Sequence, residues 1–387
     1  MTPSKPILNL YNTASRCKEP LTVRDNMVKI YACGPTVYNY IHIGNFRTFI
    51  AEDILRRTLT FFGYELHHVM NITDIGHLSD DGDGGEDKML RSAREQQRSI
   101  LEIAEYFTEV FLKDSALLNI ERPDVLCKAS DHIPEMIEMI TVLQKKGYAY
   151  GAGGNVYFDV AKVADYGKMA RLNFSNERSR VGTDSVKRNP HDFVLWFTKS
   201  KFENHALNWN SPWGRGYPGW HIECSAMSLT FLGEQFDIHC GGTDLIPVHH
   251  SNEIAQSEAF SGKSPWVRFW FHSAFLLLDR GKMSRSSGTF LTVKNLLNMK
   301  YHPLDYRYLV LGAHYRTQLH FSDESMSAAG AARSRLYRFV KELQDFPPAE
   351  ELGAAASRRR EACTAALADD LNTPKALAEL WALVKDS

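Results

Sequence analysis

Apolar and polar positions alternate from Met27 to Cys33 and again from Glu65 to Asn71, which is the period of a β-strand. Between these two segments, from Gly44 to Gly63, apolar residues recur every three or four positions, which predicts a helix. A strand, a helix and a second strand in this order form a βαβ unit, whose two strands are parallel. The pattern therefore predicts an α/β fold with a parallel sheet.

The sheet pattern pauses after the first βαβ unit and resumes far along the chain. A long amphipathic helix is predicted from about residue 88 to 118, and the stretch from 119 to 217 reads as an inserted module. A strand is then predicted from Phe236 to Cys240, followed by a helix through Asn252 to Phe260. Within the insertion, the pattern predicts a helix over Ile133 to Lys146 and a short strand over Asn155 to Val160.

The last part of the chain has a different composition. From about Ser322 onward it is helical in pattern and rich in alanine and arginine, with a break at Pro347–Pro348. A new helix start is predicted at Asn372–Pro374, where an N-cap residue precedes a proline. A length of 387 residues predicts two or three domains, with a helical one at the end.

Composition excludes several classes of protein. Hydrophobic residues make up 44% and charged residues 24%, which excludes a mostly disordered chain. The net charge of -1 gives no global basic field, so any RNA binding must depend on local patches. The six cysteines are scattered and the chain has neither a signal peptide nor a run of about 18 apolar residues, which favours reduced thiols, no membrane association and the cytosol.

The segment from His42 to Asn45 opens the first predicted helix directly after a strand and turn. The free N–H groups and the dipole of a helix N-terminus favour phosphate, and His42 and Asn45 add side-chain donors beside Gly44. An ordinary helix start explains the glycine but not the two flanking donors. These three residues are candidates for binding a nucleotide.

A second candidate segment, Lys282 to Gly288, carries two cations and three hydroxyls. Lys282 and Arg285 can neutralise charge that develops on a triphosphate when its α-phosphorus is attacked, and Ser284 adds a donor between them. Taken alone, the segment also fits a solvated basic loop.

Four residues have the chemistry of a zinc site. His249 and Glu253 are four positions apart, so a helix that begins at or before His249 places both side chains on one face. Cys33 and Cys224 would add two thiolates. The alternative is that both cysteines are ordinary buried thiols. The rival ligands are Cys240, His221 and His250.

The order of six motifs resembles one family, the cysteinyl-tRNA synthetases, which are class I aminoacyl-tRNA synthetases. These motifs are CGPTVYNYIHIGN, NITD, GWHIECSAM, GGTDL, HHSNEIAQSEA and KMSRS. The match extends from about Leu10 to the DLNTP segment, Asp370 to Pro374. The resemblance implies a Rossmann-like catalytic domain with an inserted connective module, followed by an incomplete helical bundle.

The resemblance also implies a reaction and its participants. L-Cysteine is activated by ATP, with Mg2+, and transferred to cysteine tRNA. One Zn2+ is held by the four candidate ligands named above and binds the substrate thiol. His42, Asn45, Lys282 and Arg285 act on the phosphates, together with Gly44 and Ser284. Asp244 is expected to bind the ribose, and Thr73 and Trp220 are expected to line the amino-acid pocket, although an aromatic core residue explains Trp220 nearly as well.

The resemblance divides the chain into five parts. A monomer is expected. The ranges are 1–118 and 218–275 for the two halves of the catalytic domain, 119–217 for the insertion, 276–330 for a stem-contact region, and 331–387 for the helical bundle. Asn45 and Arg285 stand where the family usually has histidine and lysine. The family continues into an anticodon-binding module, whereas this sequence ends at Ser387, so weak dependence on the anticodon is expected.

Two other functions compete with this interpretation. One is a cysteine ligase that acts on a small amine, as in mycothiol biosynthesis. The other is a non-catalytic RNA-binding paralogue, which is expected to lose ligands or phosphate-binding residues, and no such loss is visible in the motifs.

Overall fold

The computed structural model describes residues 6–23, 25–75, 99–172, 186–199, 207–278, 281–282, 290–345, 347 and 353–386, with residues 281, 282 and 386 described by their backbone. The strands in chain order are β1 (Asn9–Asn12), β2 (Cys17–Pro20), β3 (Met27–Ala32), β4 (Glu65–Ile72), β5 (Val125–Lys128), β6 (Ala149–Ala152), β7 (Asn155–Phe158), β8 (Phe193–Phe197), β9 (Tyr217–Pro218), β10 (Phe236–Gly242), β11 (Val267–Ser273), β12 (Leu276–Leu278), β13 (Gly281–Lys282) and β14 (Leu319–Phe321). The helices are α1 (Ile43–Phe61), α2 (Ile100–Leu117), α3 (Ile133–Lys145), α4 (Trp220–Leu232), α5 (Ser251–Ser261), α6 (Val293–Asn298), α7 (Pro303–Leu311), α8 (Asp323–Leu343), α9 (Ala354–Ala368) and α10 (Thr373–Asp386).

A five-stranded parallel sheet with the order β11-β10-β3-β4-β5 forms the centre of the molecule. The chain leaves β3 toward β4 on one side and later returns to β10 on the other side of β3. The strand order therefore reverses between β3 and β10, and the carboxyl ends of these two strands open a crevice. Ligands of open α/β sheets bind in such a crevice.

Each face of the central sheet packs against its own helices. Residues of β3 at even positions, such as Ile30 and Ala32, join the core formed with α1 and α2. Tyr31 points to the opposite face and joins the core formed with α3, α4 and α5. Helices cover both faces, as expected for a parallel sheet. The predicted α/β fold is confirmed.

Three smaller sheets lie outside the central one in the described residues, and one of them is the antiparallel pair of β1 and β2. Strands β6 to β9 form a four-stranded antiparallel sheet, and β12 pairs with both β13 and β14. Strands β6 to β8 of the antiparallel sheet fall in the predicted insertion, 119–217, and β9 ends one residue beyond it, at Pro218. The same range contains β5, which pairs with β4 in the central sheet.

The predicted helix from about 88 to 118 is wrong as one continuous element. Ser99 has an extended backbone and forms a capping box with Glu102, so α2 begins at Ile100. The part from 88 to 98 lies outside the described residues. In the part of the chain that the structure describes, no helix is both long and apolar enough to cross a membrane.

Candidate active site

Several of the predicted site residues lie at the crevice between β3 and β10. Cys33 directly follows β3, and its N–H donates to the carbonyl of Cys240 on β10 at 3.2 Å. Thr73 follows β4 and forms an isolated bridge with Thr36. The carboxyl ends of neighbouring parallel strands thus bring these segments to one edge of the sheet.

The four predicted metal ligands converge at this edge. One donor atom from each of Cys33, Cys224, His249 and Glu253 lies within 4.8 Å of the others. Cys224 comes from α4 and Glu253 from α5, and both are buried, with Cys224 1% and Glu253 0% exposed. The two sulfurs are 4.0 Å apart.

His249 and Glu253 are brought together by a π-helical turn at the start of α5. His249 lies in a π-helical turn, Ile246–His250, that runs directly into α5. Its Nε2 is 2.7 Å from Oε1 of Glu253. A helix therefore covers His249, as the spacing required, but the first turn is π rather than α, as is frequent at functional sites.

The donor set fits a zinc ion in composition and size. Tetrahedral zinc with bonds of about 2.3 Å to sulfur separates two thiolates by about 3.8 Å, close to the distance between the two sulfurs here. A hydrogen bond from Cys33 lowers the pKa of Cys224 to about 7, while burial raises the pKa of Cys33. Two buried thiols that share one proton become two thiolates only when a cation compensates their charge.

The carboxylate and the imidazole of this cluster are matched to each other. Burial opposes ionisation of Glu253, but His239 and His249 outweigh it and hold the pKa of Glu253 at about 2. Burial also opposes protonation of His249, yet the Glu253 carboxylate raises its pKa to about 10. The pair is therefore ionised, and a metal that binds His249 must release its proton.

Further histidines lie next to the four donors. Two of them, His239 and His272, are not among the residues predicted from the sequence. Nε2 of His239 lies 2.7 Å from Oε2 of Glu253, so this ring orients the carboxylate. His272 lies 2.8 Å from His250, whose other ring nitrogen is 3.5 Å from the Cys33 sulfur. His239 lies on β10 and His272 on β11, and both side chains are on the strand face toward α5. Their alternating position along each strand is the feature of the sequence that could have identified them.

The three rival ligands have different positions. Cys240 belongs to the core on the α1 face of the sheet, because side chains alternate along β10, and it is in neither donor group found among the described residues. His221 lies 2.9 Å from His249 between their Nδ1 atoms, behind the cluster. His250 belongs to a second group of donor atoms, with Cys33, His239 and Glu253.

Thr73 and Trp220 border the same cluster. The Thr73 hydroxyl donates to Glu223 at 3.1 Å, next in sequence to Cys224, and both side chains are buried. The Trp220 ring is 4.5 Å from the ring of His249, and its side chain is half-buried. Both residues are thus placed beside the candidate metal ligands.

The N-terminus of α1 has the geometry of an anion site. His42 is the N-cap, and its Nδ1 accepts a hydrogen bond from the N–H of Asn45 at 2.9 Å, so the neutral ring carries its proton on Nε2. The first turn of α1 contains no acidic residue. The N–H groups of Ile43 and Asn45 donate within the protein, to the carbonyl of Leu291 and to His42, so the helix dipole and the exposed side chain of Asn45 are what favour a phosphate there.

The chain that directly follows the second predicted phosphate segment lies close to this helix end. Thr292 forms an isolated bridge with His42, and the Phe290 ring is 5.5 Å from the His42 ring. Lys282 is described by its backbone, which pairs with Leu277 of β12. Ser284 and Arg285 lie outside the described residues.

Asp244 lies at the same edge of the sheet. It belongs to a 3-10 turn, Thr243–Leu245, that follows β10, and its side chain is exposed. A Cβ on Gly242 would overlap Oδ1 of Asp244 and would contact Thr48 of α1, so a glycine keeps this carboxylate close to the helix.

A family model and curated relatives match most of the chain. Residues 20–331 match the family of tRNA synthetases class I (C), catalytic domain. The chain therefore belongs to the class I tRNA synthetase family. The relatives it matches are cysteine–tRNA ligases: that of Treponema denticola is 51% identical and that of Borreliella afzelii 46%, each covering 98% of this chain and 82% of the relative. The resemblance to this family is confirmed, and neither competing function is favoured.

A solved structure of low sequence identity shares the fold. The Mycobacterium tuberculosis methionyl-tRNA synthetase in complex with methionyl-adenylate superposes with a TM-score of 0.67. It is 15% identical, and the match covers 93% of this chain and 82% of that one.

Proposed function

We propose that the protein is a cysteine–tRNA ligase, which activates L-cysteine with ATP and transfers it to the 3′ end of cysteine tRNA. The observation that carries the proposal is one crevice with two kinds of chemistry. It holds a buried set of two thiols, an imidazole and a carboxylate beside the anion-binding end of α1. The family and the named relatives support the same activity.

The residues that would hold one zinc ion are Cys33, Cys224, His249 and Glu253. A zinc ion held there would supply a soft Lewis acid that stabilises the substrate thiol as a thiolate at neutral pH. This chemistry answers a selection problem, because a pocket without it separates cysteine from serine only weakly. His239 orients the Glu253 carboxylate, and Trp220 and Thr73 border the space that the substrate side chain enters.

Adenylate formation requires positioning and charge stabilisation. The cysteine carboxylate attacks the α-phosphorus of Mg2+-bound ATP. A C–O–P linkage forms, the bond between the α-phosphorus and the oxygen that bridges to the β-phosphate breaks, and pyrophosphate leaves. His42 and Asn45 bind the phosphates at the helix end, Lys282 and Arg285 neutralise the developing charge, and Ser284 and Gly44 complete the site. Asp244 accepts hydrogen bonds from the ribose. In the second step, the terminal ribose hydroxyl of the tRNA attacks the cysteinyl carbonyl and AMP leaves.

The remaining organisation follows the predicted ranges with one adjustment. We infer that the connective module begins after β5, at about residue 129, since β5 is part of the central sheet. The first catalytic half accordingly extends to about residue 128, and the second half, the stem-contact region and the helical bundle keep the predicted boundaries. The protein is proposed to act as a monomer in the cytoplasm.

One pair of assays tests the proposal. Purified protein is incubated with ATP, labelled pyrophosphate and each amino acid in turn, and then with cysteine tRNA. Cysteine-dependent exchange and charging of the tRNA are the expected results. Exchange without charging, with cysteine appearing on a small amine, would overturn the assignment to tRNA.

A further inference from the structure

Asp370 stands in the turn between α9 and α10, and its burial is unusual for a carboxylate. The residue is 1% exposed and has a positive φ of 62°, followed by Leu371 with a φ of 54°. Residues other than glycine adopt this region only at a cost, although Asp and Asn tolerate it best. Two successive residues of this kind are held in place by the contacts around them.

Both oxygens of Asp370 are saturated by groups from other parts of the fold. Oδ1 accepts from the N–H of Tyr11 at 2.9 Å and from the hydroxyl of Tyr315 at 2.6 Å. Oδ2 accepts from Nε and Nη2 of Arg316 at 2.8 and 2.5 Å. The Arg316 guanidinium also lies over the Tyr11 ring, 4.2 Å from its centroid. Asp370 therefore fastens the segment that contains Tyr315 and Arg316.

That segment, residues 312–317, is hydrogen-bonded to α1 and to the chain that enters β12. Arg47 of α1 is buried, and its guanidinium donates to the carbonyls of Phe275, His314 and Thr317. The carbonyl of Tyr315 accepts from the N–H of Ala274 at 2.9 Å. The 312–317 segment is thus bonded both to the helix that begins at His42 and to the chain that enters β12.

The same segment continues into the strand pair that ends at Lys282. The N–H of Leu319, at the start of β14, donates to the carbonyl of Phe275 at 3.2 Å, and β14 then pairs with β12. β12 in turn pairs with β13, where Lys282 is opposite Leu277. The 312–317 segment is therefore connected through β14 and β12 to the backbone of Lys282.

We infer that Asp370 is a positioning residue for adenylate formation, because it holds the 312–317 segment that connects α1 with the strands leading to Lys282. This inference rests on the proposed function. Asp370 contacts no group assigned to substrate and acts through Arg316 and Tyr315. An error of about 1 Å in the placement of reacting groups costs up to about a hundredfold in rate, and a partial release of the segment is expected to cost less.

The variant Asp370→Asn tests the inference while keeping the turn. Asn tolerates positive φ and retains one oxygen for Tyr11 and Tyr315, but its amide nitrogen then faces the Arg316 guanidinium, so two donors oppose each other. We expect KM for ATP to rise about tenfold and kcat of cysteine-dependent exchange to fall about tenfold. KM for cysteine and zinc content should not change. A smaller folded fraction alone would lower kcat and leave both KM values unchanged, and that result would overturn the inference.

The matched control is Asp369→Asn. Asp369 is the neighbouring carboxylate, pairs with Lys18 at 2.5 Å, and both side chains are about half exposed, at 53% and 46%. Its loss should leave the KM for ATP unchanged, because an exposed pair contributes little. An equal rise in KM for ATP with both variants would contradict the specific role of Asp370.

Hydrogen exchange provides a readout that does not need activity. In Asp370→Asn, amides of residues 314–321 and of the first turns of α1 should exchange faster, while those of α4 and α5 stay as in the wild type. Faster exchange confined to α9 and α10 would overturn the inference, even in an active enzyme. Absence of cysteine-dependent exchange in the wild-type protein would instead refute the proposed function, and the amide data would still decide the role of Asp370.

Discussion

The metal-donor cluster and the proposed nucleotide-binding end of α1 (the nucleotide end) lie at the same edge of one sheet but are built differently. The cluster is interior: its four donors come from three separate segments, and Glu253 and Cys224 are almost fully buried. The nucleotide end lies at the surface, or rim, of the crevice. It is formed by the start of one helix, where Asn45 is exposed. Side chains from distant segments supply the first site, whereas one local segment supplies most of the second.

This difference reflects what each site must recognise. A phosphate carries negative charge and several acceptor oxygens. The N-terminus of a helix can therefore bind it without side chains from distant segments. A thiol differs from a hydroxyl by one atom, and selecting it requires soft ligands for a metal at fixed distances. Changes to the buried cluster should therefore have larger effects than changes to the rim.

The largest effect is expected from removing a ligand of the cluster. Cys224→Ala and Glu253→Gln should each lose zinc, and cysteine-dependent exchange should fall by about a thousandfold or more, since several kcal/mol of metal–ligand interaction are lost. Metal analysis of the purified variants measures this. Cys240→Ser is the matched control, because its thiol is on the opposite face of the sheet, and it should keep its zinc. Full zinc in both ligand variants, with Cys240→Ser empty, would show that the ligands are assigned wrongly.

Discrimination between cysteine and serine should be nearly as large. Serine is expected to support pyrophosphate exchange at least about a thousandfold less well than cysteine, because an alcohol cannot replace the thiolate at zinc. Values of kcat/KM for the two amino acids, measured on zinc-loaded protein, check this. Comparable exchange with serine would remove the selective role given to the cluster.

A change at the rim should have a smaller effect. His42→Ala is expected to slow exchange by about a hundredfold and to raise KM for ATP, with zinc content unchanged, since it removes a donor to the phosphates. It should also lower the free energy of unfolding by about 1 kcal/mol, because the N-cap acceptor is lost.

The control for this change is His42→Asn. Asparagine is a good N-cap residue, so this variant should recover the stability but not the rate. Recovery of both would mean that His42 serves the helix and not the nucleotide.

The smallest effect concerns the interior between the two regions. Glu52 of α1 is buried beside Cys240, and its carboxylate oxygens have no hydrogen-bond partner among the described residues. Burial raises its pKa well above the usual value. The native state therefore holds a proton that the unfolded chain releases above about pH 4.3, so stability falls as pH rises toward the native pKa.

The variant Glu52→Gln removes this dependence, because an amide does not ionise. At pH 8 it should be more stable than the wild type by on the order of 1 kcal/mol, with the difference shrinking toward pH 5. Denaturant unfolding at several pH values measures it. A constant difference between pH 5 and pH 8 would show that Glu52 does not carry a proton in the native state.

Local periodicity was enough to predict the elements that frame the site. The strand before Cys33, the helix after His42 and the strand before Thr73 appear within two residues of their predicted ends. These elements depend on neighbours a few positions away, whose sterics and burial the pattern records. The predicted helix across Ser99 is wrong for a reason that is also local. Ser99 and Glu102 form a capping box, which starts a helix at Ile100.

The sequence by itself determined the chemical types of the site: two thiols, an imidazole and a carboxylate at helical spacing, and a helix that opens between two donors. Only the tertiary structure decided which of them meet. Cys33 and Cys224 are 191 positions apart, and they converge because α4 packs on the face of the sheet to which Tyr31 of β3 points. Alternation along β10 then places His239 on the cluster side and its neighbour Cys240 on the other side. Strand order and facing depend on long-range pairing and crossovers, which no local spacing along this chain specifies.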